Sequence, residues 1–280
     1  MFEFKNMLHD EFTGLTFQLI FLGMIFLFGI CIGSFLNVVI IRLPRGESLI
    51  KRSSHCMTCG TKIRPIDMIP VFSWLFLRGK CHSCGEKISP RYPVVEALNG
   101  FLYVLSFWVL DINAEAIITC ALMSLLLVVG FMDWDTMEIS EIILAVILFL
   151  AVPLALVTDE VSLKSRIIGA FVISVPFFLI GEISRPIIRK KFGEDFRAIE
   201  LGDTLLMIAA GAVLGTKAVI VSTLIGIVAA ALGGVIYKMV SGESKFAFGP
   251  FLAIGIAVGL LWGNEIADWY IGLLKNPLNQ

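Results

Sequence analysis

Long apolar runs, most of them near the roughly 20 residues that carry a helix across a bilayer, recur along this chain and confine it to one class of fold. Eight are read, at 15–41, 93–110, 115–132, 141–157, 167–183, 203–216, 218–238 and 247–263. The sixth is short, and the sixth and seventh also read as one interrupted run. Inside a bilayer every backbone N–H and C=O must find a partner within the protein, and a helix supplies it locally. The expected fold is therefore an all-α polytopic membrane protein of about eight transmembrane helices. Composition agrees: 58% of residues are apolar and 16% charged, against about a quarter charged in soluble domains. The first run, from Leu15 to Ile41, is too long for a signal-peptide core and lacks a small-residue cleavage site. It is expected to stay in the membrane.

One polar stretch, 42–92, interrupts the pattern between the first and second runs. It divides the chain into a first span (1–41), an insert (42–92) and a multi-span remainder (93–280). The insert carries Arg42, Arg45, Lys51, Arg52, Lys62, Arg64, Arg78, Lys80, Lys87 and Arg91, ten of the chain's 22 basic residues. Lys and Arg stay on the cytosolic side of membrane spans, so the insert is expected in the cytosol and the N-terminus outside. Counting forward, the 184–202 loop, with Arg185, Arg189, Lys190, Lys191 and Arg197, falls on the same side, as does Lys245. The opposite loops hold Asp111 and Glu115, then Lys164 and Arg166 offset by Asp159 and Glu160, then Lys217. Nothing in a net charge of −1 points to a nucleic-acid partner.

The insert holds Cys56-Met57-Thr58-Cys59 and Cys81-His82-Ser83-Cys84, separated by 21 residues. Each CxxC knuckle turns two thiolates toward one point, and two knuckles complete a tetrahedral shell for zinc. Gly60 and Gly85 follow the second cysteine of each pair, where such turns often need a positive φ. A disulfide is disfavoured in a reducing cytosol, and a redox role for one pair leaves the other unexplained. Cys56, Cys59, Cys81 and Cys84 thus form a candidate structural zinc ribbon with no open position for chemistry. His55 and His82 read as solvated loop residues rather than ligands. Cys31 and Cys120 stand alone in apolar runs and read as small buried hydrophobes.

Acids at the edge of a membrane span are costly and ask for a reason. Asp133 closes the third run and Asp203 opens the sixth, both at the expected cytosolic edge. Two carboxylates brought face to face share a proton: one then activates a water while the other polarises a carbonyl. The same positions suit ordinary interfacial acids that cap helices, and the pair alone does not choose between the readings. Asp135, two residues beyond Asp133, points to another helical face. Glu138, Glu141 and Glu200 fit either solvated loop charge or attraction of a basic substrate segment. Glu96 and Asn99, near the start of the second run, line the same region or simply sit at the interface. The glycines at 211, 215, 226, 233 and 234 are those of closely packed helices.

Together these residues resemble the bifunctional type IV prepilin peptidases of pilus and type II secretion systems, GxGD-type aspartic membrane proteases. The likeness runs from Gly33 to about Gly255. It includes Gly33-Ser34-Phe35-Leu36-Asn37-Val38-Val39, Arg42-Leu43-Pro44, both CxxC pairs and Asp67-Met68-Ile69-Pro70. It continues through Ser73-Trp74-Leu75, Leu77-Arg78-Gly79-Lys80-Cys81, Ile88-Ser89-Pro90-Arg91-Tyr92-Pro93, Glu96 and Phe248-Gly249-Pro250-Phe251-Leu252-Ala253. The resemblance implies that Asp133 and Asp203 are catalytic. It implies cleavage of prepilins or pseudopilins after a glycine, at the cytosolic face of a bacterial inner membrane. It further implies methylation of the exposed N-terminus, usually Phe, from S-adenosylmethionine, an activity linked to the insert. Ser140 stands where the family usually has proline, Glu200 where it has the first glycine of Gly-x-Gly-Asp, and Leu205 where a lysine often follows. No glycine-rich loop of a soluble methyltransferase is present, so a methyl-donor pocket is not assigned. A transporter or channel with a zinc-bound regulatory insert is the alternative. It expects acids near the bilayer midplane rather than at one edge. A non-catalytic assembly scaffold, indifferent to both aspartates, is the third reading.

Overall fold

A computed structural model describes residues 11–51, 53–158, 161–192, 197–242 and 246–275. Arg52, Asp159, Glu160 and Lys245, invoked above for loop charge, lie outside them. The described chain is helical, with no strand and only isolated antiparallel bridges at His55–Lys62 and Lys80–Lys87. The helices are α1 (Glu11–Arg42), α2 (Phe72–Phe76), α3 (Arg91–Leu110), α4 (Ala114–Thr136), α5 (Glu141–Val157), α6 (Leu163–Val172), α7 (Ser174–Phe192), α8 (Leu201–Ser241) and α9 (Gly249–Lys275). Two compact units divide at Val128/Val129, inside α4.

Six helical stretches are long and apolar enough to cross a membrane, and α5, at 17 residues, is a shorter apolar helix. The difference from eight runs has two sources. The runs at 203–216 and 218–238 fall in one element, α8. The run at 141–157 is α5 itself, just under spanning length. The last run ends too early in the sequence reading: Glu265 and Asp268 interrupt its apolar character but not the helix, which continues to Lys275.

In the first unit, α1 and α3 pack where side chains are missing. A Cβ on Gly29 would lie 2.7 Å from Gly100 Cα, and one on Gly33 the same distance from Glu96 Cα. Buried polar groups stitch this contact. Asn99 Nδ2 donates to Gly29 O at 2.7 Å, Ser124 Oγ donates to Asn99 Oδ1 at 2.8 Å, and Tyr103 Oη lies 3.0 Å from Ser124 Oγ. Such satisfied networks fix register where lipid and helix surfaces are equally apolar. Cys120 is buried as expected, but Cys31 is exposed on α1. A membrane helix can present an apolar side chain to lipid, so apolarity there does not imply burial in protein.

The second unit is organised by a break in α8. Gly215 has φ 76°, ψ −179°, a conformation open to glycine and foreign to a helix. As a straight rod α8 would be about 60 Å long and would hold Asp203 and Tyr237 about 50 Å apart. Yet the Trp134 ring, adjacent in sequence to Asp133, lies 6.0 Å from the Tyr237 ring, and Asp133 is within electrostatic reach of Asp203. The helix therefore doubles back at Gly215. Its second arm runs antiparallel to α9, with Ala218 beside Gly263, Leu252 beside Gly226 and Phe251 beside Gly233.

The break leaves backbone groups unsatisfied, and α6 supplies their partners. Thr216 N donates to Ser165 Oγ at 3.0 Å and Thr216 Oγ1 to Ser165 O at 2.9 Å. Arg166 Nη1 donates to Ala212 O and Val213 O, the open carbonyls ending the first arm. Its Nη2 donates to Thr158 Oγ1 at 2.6 Å. Arg166, expected in a solvated loop, is 4% exposed. A guanidinium at a helix C-terminus satisfies carbonyls and complements the dipole, which outweighs its preference for water.

Candidate active site and metal centre

Asp133 sits in the last turn of α4 and Asp203 in the first turn of α8, 6% and 5% exposed. Each is held by an amide at a helix start, where the first N–H groups have no intrahelical acceptor. Gly249 N, opening α9, donates to Asp133 Oδ2 at 2.8 Å. A Cβ at position 249 would stand 2.7 Å from that same oxygen, so only glycine lets the amide approach. Asp203 belongs to a reciprocal capping box: its Oδ2 accepts from Glu200 N at 3.3 Å while the Glu200 side chain accepts from the Asp203 amide. Two helix N-termini thus face the carboxylates, and their dipoles favour negative charge there.

The two aspartates, 70 positions apart in sequence, are close enough to sense each other's charge, and Glu200 is in reach of both. Close packing of the α8 start against the 137–140 turn contributes: a Cβ on Gly202 would be 3.2 Å from Ile139 Cβ. Like charges within reach of one another disfavour simultaneous ionisation. Asp135, Glu138, Glu141 and Glu200 are exposed. Ser140 is the N-cap residue of α5 without a capping side-chain bond, and Leu205 is 40% exposed. The Gly249 amide was not singled out from sequence as a partner of Asp133. Its signal was a glycine-proline step opening an apolar run. Glu200, which the sequence offers as loop charge, as attraction for a basic substrate segment or as a departure from Gly-x-Gly-Asp, has the spacing to Asp203 of a capping box.

In the insert, the sulfurs of Cys56, Cys59, Cys81 and Cys84 all lie within 4.8 Å of one another. Cys56 Sγ and Cys84 Sγ are 3.9 Å apart, close to the about 3.8 Å edge of a tetrahedron with zinc–sulfur bonds of about 2.3 Å. The two knuckles repeat one geometry. Gly60 N donates to Cys56 O and Gly85 N to Cys81 O, both at 2.9 Å, with φ of 70° and 74° at the glycines. Cys56 N donates to Thr61 O at 2.9 Å and Cys81 N to Glu86 O at 2.8 Å. Backbone amides favour the thiolates: those of Cys59 and Thr58 lower Cys56, and those of Cys84 and Ser83 lower Cys81. The Thr61 side chain lowers Cys59. The Glu86 amide also favours the Cys84 thiolate, but desolvation and the three neighbouring sulfurs outweigh it and push Cys84 up to about 12. Four thiols this close cannot all ionise at ease without a cation among them, which is the electrostatics of a four-thiolate cage. No cysteine is in a disulfide. The metal-competent group contains neither His55 nor His82.

The rest of the insert is built around Trp74, whose Nε1 donates to Ile88 O at 3.1 Å and whose ring packs where a Cβ on Gly79 would stand. Arg64 Nε and Nη2 grip Asp67 at 2.7 and 2.9 Å.

Comparison with known proteins places these geometries in context. Residues 27–110 match the bacterial peptidase A24 N-terminal domain, and residues 120–235 match the type IV leader peptidase family. A prepilin leader peptidase/N-methyltransferase of Aeromonas hydrophila is 32% identical over 279 residues, covering 90% of this chain and 94% of that protein. The one from Neisseria gonorrhoeae is 32% identical over 254 residues, covering 81% and 85%. A type 4 prepilin-like proteins leader peptide-processing enzyme of Escherichia coli O78:H11 is 31% identical over 248 residues, covering 81% and 88%. No solved structure gives a significant match.

Proposed function

The chain belongs to the type IV leader peptidase family, and on that premise we propose how its residues remove the leader peptide of a prepilin or pseudopilin and methylate the N-terminus so exposed. It is a membrane protease with methyltransferase activity. The observation that carries the mechanism is the convergence of Asp133 and Asp203, both buried, each held by a helix-start amide. One carboxylate, ionised, takes the proton of a water that attacks the scissile carbonyl. The other, protonated, donates a hydrogen bond to the carbonyl oxygen and later returns its proton to the leaving amine. Pre-set amides hold the pair without cost at the moment of reaction.

We read α8 as two passes joined at Gly215 and α5 as a pass of its own, which restores eight membrane crossings. The 184–202 segment, expected as a loop, is not one throughout: residues 184–192 continue α7 and α8 begins at Leu201. Its basic residues, with those of the insert, support a cytosolic side of a bacterial inner membrane for both segments and for both aspartates. The insert, 42–92, is read as a structural zinc ribbon ligated by Cys56, Cys59, Cys81 and Cys84. It serves methylation, and 93–280 forms the peptidase core. Zinc there would stabilise the fold and supply no reactive position. S-adenosylmethionine is the proposed methyl donor, and prepilins in the lipid phase are the proposed substrates. The transporter alternative has no support among the similar proteins. The test is co-expression with a prepilin, followed by mass spectrometry of the pilin N-terminus. A leaderless, methylated product is expected, and an intact leader in the presence of folded enzyme overturns the reading.

A further inference from the structure

Glu96 is a buried acid that peptide cleavage does not use. It lies in the second turn of α3, is 8% exposed, and its Oε2 accepts from Val71 N at 2.7 Å. The Ser34 side chain on α1 lies near it. Val71 has φ 63° and ψ −55°, a positive-φ conformation that a β-branched residue adopts only under constraint. The insert therefore bears backbone strain at the residue that aims an amide at this carboxylate. Gly33 brings α1 close against the backbone at Glu96.

Among the described residues no cation pairs with Glu96. A buried carboxyl without a counter-charge among the described residues is expensive in a membrane helix and marks a functional site, and a cation is the ligand that would offset its charge. An anchor for Val71 alone would need only an acceptor, which glutamine supplies without charge. Resting on the methyltransferase reading above, we propose that Glu96 receives the α-ammonium of the cleaved pilin and acts as the base of methyl transfer. An ammonium has no lone pair and cannot attack a methyl group. Glu96 takes one proton from R–NH3+, giving R–NH2 and a neutral carboxyl. The nitrogen pair then forms a bond to the methyl carbon of a sulfonium donor as the carbon–sulfur bond breaks. That bonding pair stays on sulfur as a neutral thioether, the product nitrogen carries the positive charge, and the Glu96 proton passes to water.

The test uses full-length enzyme and a pre-cleaved pilin for methylation, with intact prepilin for cleavage. Glu96→Gln keeps the acceptor for Val71 and removes the base. Methyl transfer should fall about a hundredfold or more, in the range of a lost general base, with cleavage unchanged. Its residual rate should climb with pH through about 8, where an α-amine deprotonates unaided. Glu96→Asp, a shorter base, should recover part of the rate. Wild-type methylation by Glu96→Gln, a loss without recovery at high pH, or equal loss of cleavage would each overturn the proposal and leave the methyltransferase reading standing. Failure of the wild-type enzyme to methylate either pilin would overturn both.

Discussion

The cysteine cluster and the aspartate pair solve the same problem, holding acidic groups together, by opposite means. The cysteines are half exposed, and each knuckle is shaped by its own loop, with hydrogen bonds spanning only a few residues. The aspartates are buried, and each owes its position to a helix start, Asp133 to one 116 residues further along the chain. A local device tolerates change in the rest of the fold and, on the zinc reading proposed above, depends on a metal. A device assembled from α4, α8 and α9 needs no metal but fails when any of those helices shifts.

The contrast is broken most severely at the aspartates. Asp133→Asn and Asp203→Asn each preserve size and amide contacts but remove the shared proton. Each should lower prepilin cleavage by about 10⁴-fold or more, and the double variant little further, since members of one catalytic unit are non-additive. Methylation of a pre-cleaved pilin by both variants is expected to persist. Substantial cleavage by either single variant refutes the pairing. Gly249→Ala tests the dependence on a remote helix. Its Cβ would press on Asp133 Oδ2, displace the carboxylate by a fraction of an ångström and cut cleavage about a hundredfold. Metal content should stay at the wild-type level, because the insert makes its own geometry.

The converse change is Cys56→Ser with Cys59→Ser. Metal analysis should find the site empty, and limited proteolysis should cut the insert faster, because binding and folding are coupled there. Methylation should suffer more than cleavage, because both aspartates lie outside the insert. Iron–sulfur absorbance in the wild-type protein, or full metal in the variant, would contradict a zinc-thiolate cage.

The same contrast explains what could be read before the fold was known. The knuckles were legible because CxxC plus glycine is a complete local instruction, and Gly60 and Gly85 have the positive φ that their places suggested. Helix existence was legible because a bilayer enforces it. Aspartate candidacy was legible from cost at a membrane edge, but the partners were not. Nothing in the Phe248-Gly249-Pro250 step announces a hydrogen bond to residue 133, since a free helix-start amide looks alike wherever it points. The sharp turn at Gly215 was disguised because GxxxG spacing reads as helix packing, and Gly211 does pack against Gly169. The positive φ at Gly215 depends on α6 supplying Ser165 and Arg166, a tertiary fact. Arg166 itself was misplaced because loop arginines are usually solvated, and only the open carbonyls of residues 212 and 213 explain its burial.

The smallest expected effect gives the finest resolution of the aspartate pair. Asp135 lies on the same helix end as Asp133, and an argument from charge density alone would treat them as interchangeable. Two residues rotate a helical side chain by about 200°, which turns Asp135 away from the face that meets Gly249. Asp135 is exposed where Asp133 is 6% exposed. Its charge also stands at the C-terminal end of α4, where the dipole disfavours an anion. Asp135→Asn should therefore cleave prepilin within about twofold of wild type, as surface substitutions do. The measurement is a cleavage time course with enzyme amounts matched by immunoblot, run beside Asp133→Asn. If Asp135→Asn is the inactive variant and Asp133→Asn the active one, the last turn of α4 presents the other face. The Gly249 amide would then be holding a structural cap rather than a catalytic carboxylate.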